Sequence, residues 1–141
     1  QNSDLVISKK ALQDLLCHKP LLGDALIVRT MPNNDIEKHK DYTGTNPPYF
    51  ENSAITYLRD MGVNHLLVDI PSLDKEDDGG EVQNHKIFWD YLNKKRQHCS
   101  ITELIYVQSA IKDGDYLLNL QIAPFENDAS PSRPILFNLI S

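Results

Sequence analysis

The sequence predicts an α/β fold with a parallel sheet, and three features of the chain lead to this fold class. Residues 24–29 and 63–70 are short, continuous apolar runs, as expected for strands that are covered on both faces, and the first is expected to be central in the sheet. Residues 53–61, between them, carry apolar side chains at helical spacing. Two strands joined by a helix form a crossover unit, which pairs the strands in parallel.

The composition is that of a globular domain and excludes several classes of function. With 141 residues, of which 40% are hydrophobic, the chain is expected to form a single domain over residues 1–141. Its formal net charge of −6 repels phosphate backbones, so no nucleic acid partner is expected. No apolar run reaches the roughly 20 residues that cross a bilayer, so no membrane partner is expected either. Cys17 and Cys99 are expected to be buried free thiols, which is typical of a cytoplasmic protein.

The first helix is expected near the start of the chain. Ser8 is a suitable N-cap for a helix over residues 9–16. Leu12, Leu15 and Leu16 follow the three- and four-residue spacing of one buried face.

The middle of the chain predicts a loop followed by a second helix. Residues 31–50 are dominated by polar and turn-forming residues, which indicate a long, ordered loop. Asn52 is the expected N-cap of the helix over residues 53–61. Gly62 stands where a left-handed residue ends a helix.

The second half of the chain predicts a third helix and three more strands. Residues 75–80 form an acidic, solvated loop. The helix predicted after it, over residues 84–92, places Ile87, Phe88 and Tyr91 toward the interior. Strands are expected at residues 101–107, 116–122 and 134–140.

Five histidines are the first candidates for chemistry, because the sequence has no phosphate loop, nucleophile elbow or His-Glu-x-x-His helix. His18, His39 and His98 lie beside lysines or in polar turns, where a solvated imidazole is the ordinary interpretation. His65 begins a predicted strand. His85 follows the acidic loop and precedes an apolar helical stretch, an arrangement that turns an imidazole toward a cleft.

Three carboxylates are the next candidates. Glu103 interrupts the apolar run of residues 101–105, and a carboxylate is costly to bury there unless a cation, a donor or a metal compensates it. The alternative is that Glu103 lies on the solvated face of a strand. Asp69 and Asp74 stand at the end of a predicted strand, where the alternative role is to cap a turn.

Six features occur in the order that is typical of one family of enzymes. They are residues 23–30, residues 44–50 with the helix that ends at residues 61–63, residues 68–74, His85, residues 101–105 and residues 128–134. Together they resemble the cyclase family of metal-dependent hydrolases, which includes the bacterial kynurenine formamidases.

This resemblance implies a swivelling β/β/α fold and a divalent metal, zinc or manganese, that activates water against a small amide or cyclic substrate. His85 matches a histidine and Glu103 a glutamate of the family's metal site, and His85 is also the predicted catalytic residue. The family's His-x-Gly-Thr-His-x-Asp-x-Pro motif has no match in this chain. It is expected upstream of residue 1, so the fold is expected to be incomplete in this chain, which would be the C-terminal portion of the enzyme and inactive alone. The spacing from His85 to Glu103 is longer than in the family, which leaves His98 as an alternative ligand.

The hypothesis of a hydrolase also suggests residues for a substrate site. Asp69 and Ser72 are expected to organise the strand end beside the cleft, together with Asp74. Tyr49 and Trp89 are candidate aromatic walls for a flat substrate, and the alternative for each is packing in the core.

Two further expectations concern partners and an alternative function. The expected partners are a small-molecule substrate and other copies of the chain, because a truncated sheet exposes edges that a second copy can cover. The alternative to an enzyme is a non-catalytic binding or assembly module on the same scaffold, since a fold does not guarantee its chemistry.

Overall fold

The computed structural model describes residues 4–17 and 21–140, so the prediction for His18 lies outside the described residues. The chain divides into two compact units, residues 1–109 and 110–141, and each unit is described by itself. The single domain expected over residues 1–141 stays a prediction. Among the described residues, no helix combines the length and the apolar character that a membrane crossing requires.

The first unit contains five strands and three α-helices within its described residues. In chain order its elements are β1 (Val6–Ile7), α1 (Lys9–Leu16), β2 (Ala25–Val28), a 3-10 helix (Asp35–His39), β3 (Tyr49–Phe50), α2 (Asn52–Asp60), β4 (His65–Val68), α3 (Gln83–Trp89) and β5 (Ser100–Thr102).

A three-stranded parallel sheet in the order β2–β4–β5 forms the centre of this unit. Leu66 of β4 pairs with Leu26 of β2 on one side and with Ile101 of β5 on the other. The predicted parallel crossover is therefore confirmed. The prediction that residues 24–29 form the central strand is wrong, because β4 is central and β2 lies at the edge. A continuous apolar run reports that both faces of a strand are covered and carries no information on its lateral neighbours.

The first two helices begin and end near the predicted residues. Ser8 Oγ accepts a hydrogen bond from the Ala11 N–H at 3.2 Å, which confirms the first N-cap. Leu12 is buried, as predicted, but Leu15 is exposed. The side of α1 that packs inward is therefore narrower than the apolar face predicted from the spacing of its leucines. The predicted cap Asn52 is wrong by one residue, since the N-cap of α2 is Glu51. Its carboxylate accepts the Lys9 N–H at 3.1 Å and so joins the starts of the two helices.

Later elements are shorter than the sequence predicted. The helix expected over residues 84–92 ends at Trp89, because Asp90 has a left-handed backbone with φ +47°. Phe88 is buried as expected, whereas Tyr91 is exposed. The loop expected over residues 31–50 contains the 3-10 helix and β3. Of the strand expected at residues 101–107, only the start pairs with β4.

A single buried cluster connects α1, α2, α3 and the sheet. Its fully buried side chains include Phe50, Ile55, Leu58, Leu66 and Phe88. Cys99 is buried, but Cys17 is exposed, so the prediction of two buried thiols is wrong for Cys17. Gly62 ends α2 with φ +89°, as predicted, because this conformation has no steric cost without a Cβ.

The second unit is a two-stranded antiparallel hairpin, β6 (Tyr116–Asn119) with β7 (Ile135–Asn138). Both strands were predicted, and both are shorter than expected. Leu117 lies opposite Phe137, and both side chains are exposed.

Phe88 provides a test of this packing. Because its side chain is fully buried in the cluster, we expect Phe88→Ala to lower the free energy of unfolding by about 3–5 kcal/mol. The measurement is chemical denaturation followed by circular dichroism. Leu92→Ala is the matched control, since Leu92 is 93% exposed and its truncation should change stability by less than about 0.5 kcal/mol. Equal effects of the two substitutions would contradict the assignment of the core.

Candidate functional site

His85 stands at the start of α3, and a single carboxylate holds this end of the helix. Asp74 Oδ1 accepts the Asn84 N–H at 2.6 Å, and Asp74 Oδ2 accepts the His85 N–H at 3.3 Å. The residue before the helix, Val82, has a left-handed backbone with φ +43°, which is strained for a β-branched side chain. The position of His85 is therefore set by Asp74 and by a strained turn.

The imidazole of His85 lies between two carboxylates. Its Nδ1 is 2.6 Å from Asp74 Oδ2, and its Nε2 is 3.3 Å from Glu103 Oε1. The Trp89 ring packs against the imidazole, with 5.4 Å between the ring centroids. The structure thus brings together His85 and Glu103, the two residues predicted to share a metal.

Glu103 lies directly after β5 and is held by the backbone of a neighbouring segment. Its Oε1 accepts the Leu73 N–H at 2.9 Å. The next residue, Leu104, has φ +54°, so the chain bends away from the strand immediately after Glu103. The Leu104 N–H donates to Ile70 O at 3.1 Å. Glu103 is therefore a half-buried, hydrogen-bonded group rather than a freely solvated residue on a strand face.

The two carboxylates determine the charge state of the imidazole. Burial by itself lowers the pKa of His85, but the hydrogen bonds to Asp74 and Glu103 outweigh it and raise the pKa to about 9. Burial likewise raises the pKa of Asp74, but the hydrogen bonds from His85 and from the Asn84 N–H outweigh it and hold the pKa below its ordinary value. At neutral pH the pair is an imidazolium and a carboxylate.

Asn84 supports this arrangement from inside the core. Its side chain is 2% exposed, and its Nδ2 donates to Phe50 O at 2.7 Å and to Leu73 O at 2.8 Å. Sequence reasoning missed Asn84, and the only signal was a polar residue at the start of an apolar helical stretch. It also gave Asp74 only the role of capping a turn or organising the strand end, although Asp74 contacts the imidazole directly.

Asp69 and Ser72 occupy the end of β4 with separate partners. Asp69 Oδ2 accepts the N–H of Thr30 at 2.7 Å and its hydroxyl at 3.2 Å, which ties the ends of β4 and β2 together. Burial raises the pKa of Asp69, whereas the Thr30 hydrogen bonds act in the opposite direction. Ser72 Oγ accepts the Asp74 N–H at 3.1 Å.

The predicted aromatic residues and the alternative ligand lie in different surroundings. The Tyr49 hydroxyl donates to Asp4 Oδ2 at 3.0 Å. Trp89 contacts His85 and also donates its indole N–H to Cys99 O at 3.1 Å. His98 is exposed in the turn that precedes β5. Of the two histidines considered for the site, the structure therefore brings His85 to Glu103.

The donor set around His85 is small. Within residues 4–17 and 21–140, no group of three or more His, Cys, Asp or Glu side chains is arranged to hold a metal ion. Asp74 lies at Nδ1 and Glu103 at Nε2, so they occupy different nitrogens of the ring. The described residues thus place one imidazole nitrogen, His85 Nε2, 3.3 Å from one carboxylate oxygen, Glu103 Oε1.

Comparison with known proteins places this chain in a family of enzymes. The sequence profile of the Cyclase family matches residues 1–75, which is more than half of the 141 residues. The chain therefore belongs to the Cyclase family.

The curated relatives are kynurenine formamidases. The one from Bacillus cytotoxicus is 31% identical over 115 residues, which cover 80% of this chain and 49% of the relative. The one from Bacillus cereus is 26% identical over 114 residues, with the same two coverages of 80% and 49%. The chain thus spans about half the length of the curated relatives it matches.

Solved structures confirm the predicted α/β fold of the cyclase family. A predicted metal-dependent hydrolase from Bacillus stearothermophilus matches with a TM-score of 0.65 and 18% identity. The match covers 95% of this chain and 58% of the chain of that hydrolase. A potential metal-dependent hydrolase with cyclase activity matches with a TM-score of 0.56 and 13% identity. This match covers 98% of this chain and 65% of the chain of the second hydrolase. At these identities the likeness shows the fold.

The raised pKa of His85 predicts how stability depends on pH. Because the pKa in the folded state, about 9, lies above the ordinary value of 6.5, the charged imidazole stabilises the fold fully below about pH 6.5. This contribution, on the order of 3 kcal/mol, should be lost as the pH rises through 9. The measurement is the free energy of unfolding between pH 6 and 10, and His85→Gln is the control that should remove the dependence. A wild-type curve parallel to that of His85→Gln would contradict the prediction.

Proposed function

We propose that this chain contributes to the active site of a metal-dependent hydrolase that acts on a small amide or cyclic substrate. The observation that carries the proposal is the 3.3 Å distance between His85 Nε2 and Glu103 Oε1, two groups remote in sequence. Membership in the Cyclase family and the likeness to kynurenine formamidases support an amide substrate of the formamide type.

The chemistry of the two donors fits part of a metal site. Imidazole nitrogen and carboxylate oxygen are ligands that zinc and manganese both accept, so the pair does not select between these metals. A catalytic zinc takes about three protein ligands and one open position. His85 and Glu103 would supply two ligands, and the others would come from groups outside the described residues.

A bound metal would polarise the substrate carbonyl and lower the pKa of a water molecule. The residues of this chain would provide the remaining functions. Glu103 Oε1 is held by the Leu73 N–H, so the carboxylate has a fixed direction. The Trp89 ring contacts the imidazole, with 5.4 Å between the ring centroids, and so helps to hold its orientation.

His85 Nε2 is the proposed metal ligand, and the alternative is that the same nitrogen acts as a catalytic acid. A nitrogen that binds a metal has no free position for a proton. In the metal-free chain, His85 Nε2 donates to Glu103 and could pass that proton to a leaving amine. The two roles therefore exclude each other at any one moment.

The region beside Trp89 is the proposed location of the substrate. An open cavity of about 390 Å³ is lined by Trp89, Tyr91, Lys94, Gln97 and Cys99. This volume is at the lower end of the range for small-molecule sites. Asp69 and Ser72 would act by fixing the strand end rather than by direct contact, and Tyr49 remains a second candidate wall.

Metal analysis tests the proposal. We expect elemental analysis to find stoichiometric zinc or manganese in the longest polypeptide produced from this gene. Where that polypeptide is longer than the 141 residues described, the 141-residue chain should bind the metal more weakly. His85→Ala and Glu103→Gln should each lower the metal content at least tenfold, because each removes one of few ligands. His98→Ala is the matched control and should leave the metal content unchanged. Release of the amine from an aryl formamide measures the activity, and a metal-loaded protein that does not hydrolyse any formamide or lactam would contradict the proposed reaction.

A non-catalytic binding or assembly module is the second candidate function. The observation that favours it is the lack, among the residues that the structure describes, of three side chains grouped to hold a metal. This function predicts no tightly bound metal in any form of the protein, together with normal folding of His85→Ala.

We also propose that the chain self-associates through the exposed face of its C-terminal hairpin. Leu117, Ile135 and Phe137 share this face and are 62%, 45% and 49% exposed. A two-stranded hairpin is marginally stable by itself, so a second copy that covers this face would stabilise it.

Light scattering tests the association. We expect a mass above 16.1 kDa that falls toward this value on dilution, because the contact depends on concentration. Phe137→Ser should shift the midpoint of this change to higher concentration. Leu22→Ser, which removes another exposed apolar side chain outside the hairpin, should not. A wild-type monomer at high concentration would contradict the proposal.

A further inference from the structure

One buried amide side chain links the two segments that carry His85 and Glu103. Asn84 directly precedes His85 at the start of α3, and its side chain is 2% exposed. Its Nδ2 donates to Phe50 O at 2.7 Å and to Leu73 O at 2.8 Å. Leu73 in turn donates its N–H to Glu103 Oε1 at 2.9 Å. Asn84 is therefore next to His85 in the chain and is connected to Glu103 through Leu73.

We infer that Asn84 is a positioning residue for the proposed hydrolytic site, which holds Leu73, and through it Glu103, at a fixed position relative to α3. This inference rests on the proposed function, because it treats His85 and Glu103 as a pair that works together. It does not depend on the charge of either group, since the contacts of Asn84 are those of a neutral amide. Both hydrogens of Nδ2 are used, so a shift of the start of α3 would break a hydrogen bond to the segment that orients Glu103.

Leu73 is itself held on several sides. Its side chain is fully buried, and its C=O also accepts the Phe50 N–H at 2.9 Å. The next residue, Asp74, accepts the backbone N–H of Asn84 at 2.6 Å. Residues 73 and 74 are therefore bound to the start of α3 at two places, one through the side chain of Asn84 and one through its backbone. Truncation of the amide would release the first link and leave the second in place.

A purely structural role is the alternative, in which Asn84 only stabilises the core. The oxygen of its side chain argues against this role. Asn84 Oδ1 is buried and has no hydrogen-bond partner among the residues that the structure describes. An unpaired buried oxygen costs stability, so a residue that served stability alone would not ordinarily carry one. The contribution of the amide therefore lies in the two hydrogen bonds that Nδ2 donates, one of which acts on the residue that holds Glu103.

The test is backbone amide hydrogen exchange, followed by NMR in the metal-free chain. We expect Asn84→Ala to accelerate exchange of the Leu73 N–H about tenfold more than exchange of the β4 amides, because the hydrogen bond from Leu73 to Glu103 weakens. Asn84→Ser, which keeps one donor, should give a smaller effect of the same kind. Val63→Ala is the matched control, since Val63 is also fully buried but precedes β4, whereas Leu73 follows it. This control should not accelerate Leu73 more than β4.

A second measurement uses the wild-type chain and needs no variant to fold. Because both hydrogens of Asn84 Nδ2 are bonded inside the core, we expect them to exchange at least about tenfold more slowly than those of the exposed Asn52. Equal rates for the two side chains would overturn the inference.

An Asn84→Ala protein in which Leu73 is accelerated no more than β4 would also overturn the inference, and Asn84 would then be a purely structural residue. Neither outcome depends on bound metal or on turnover. Failure of this inference is therefore distinguishable from failure of the proposed hydrolase, which the metal content decides.

Discussion

The structure of this site depends on one imidazole that is buried between two carboxylates. Removing a charged group from water is costly, and the cost is recovered only when every remaining hydrogen-bonding group finds a partner. His85 meets this condition with Asp74 on one nitrogen and Glu103 on the other. The carboxylates are in turn held by backbone N–H groups, those of Asn84 and Leu73 among them.

The fold supplies these partners at the carboxyl ends of two neighbouring strands of its parallel sheet. Leu73 and Asp74 belong to the segment that follows β4, and Glu103 follows β5, its neighbour. The carboxyl ends of parallel strands lie on the same side of a sheet, so residues that are remote in sequence come close together there. Val82 and Leu104, next to the elements that carry His85 and Glu103, have left-handed backbones. Strain of this kind tends to collect where the surrounding structure holds functional groups in fixed positions.

The sequence predicted the elements of this site better than its contacts. Apolar periodicity identified α2, β4 and the parallel crossover, because burial acts on each segment locally. It could not predict that β2 lies at an edge, since lateral order depends on contacts between segments remote in the chain. It also could not show that Asp74 reaches His85, because the chain between them includes a left-handed residue, Val82, and nothing in the sequence marks a valine for that conformation. Membership in the family came from ordered segments, each of them weak alone.

The energetics of the buried network favour a functional origin over a structural one. Apolar residues of similar volume commonly stabilise a core as well as a buried ion pair does, or better. A scaffold that needed only stability could therefore place apolar side chains at residues 74, 85 and 103. Instead, Asn84, the residue before His85, lies 2% exposed within the core and donates to two backbone carbonyls. A binding module would gain from this arrangement only the fixed start of α3, whereas the proposed hydrolase would also gain an imidazole nitrogen and a carboxylate oxygen held at a fixed distance.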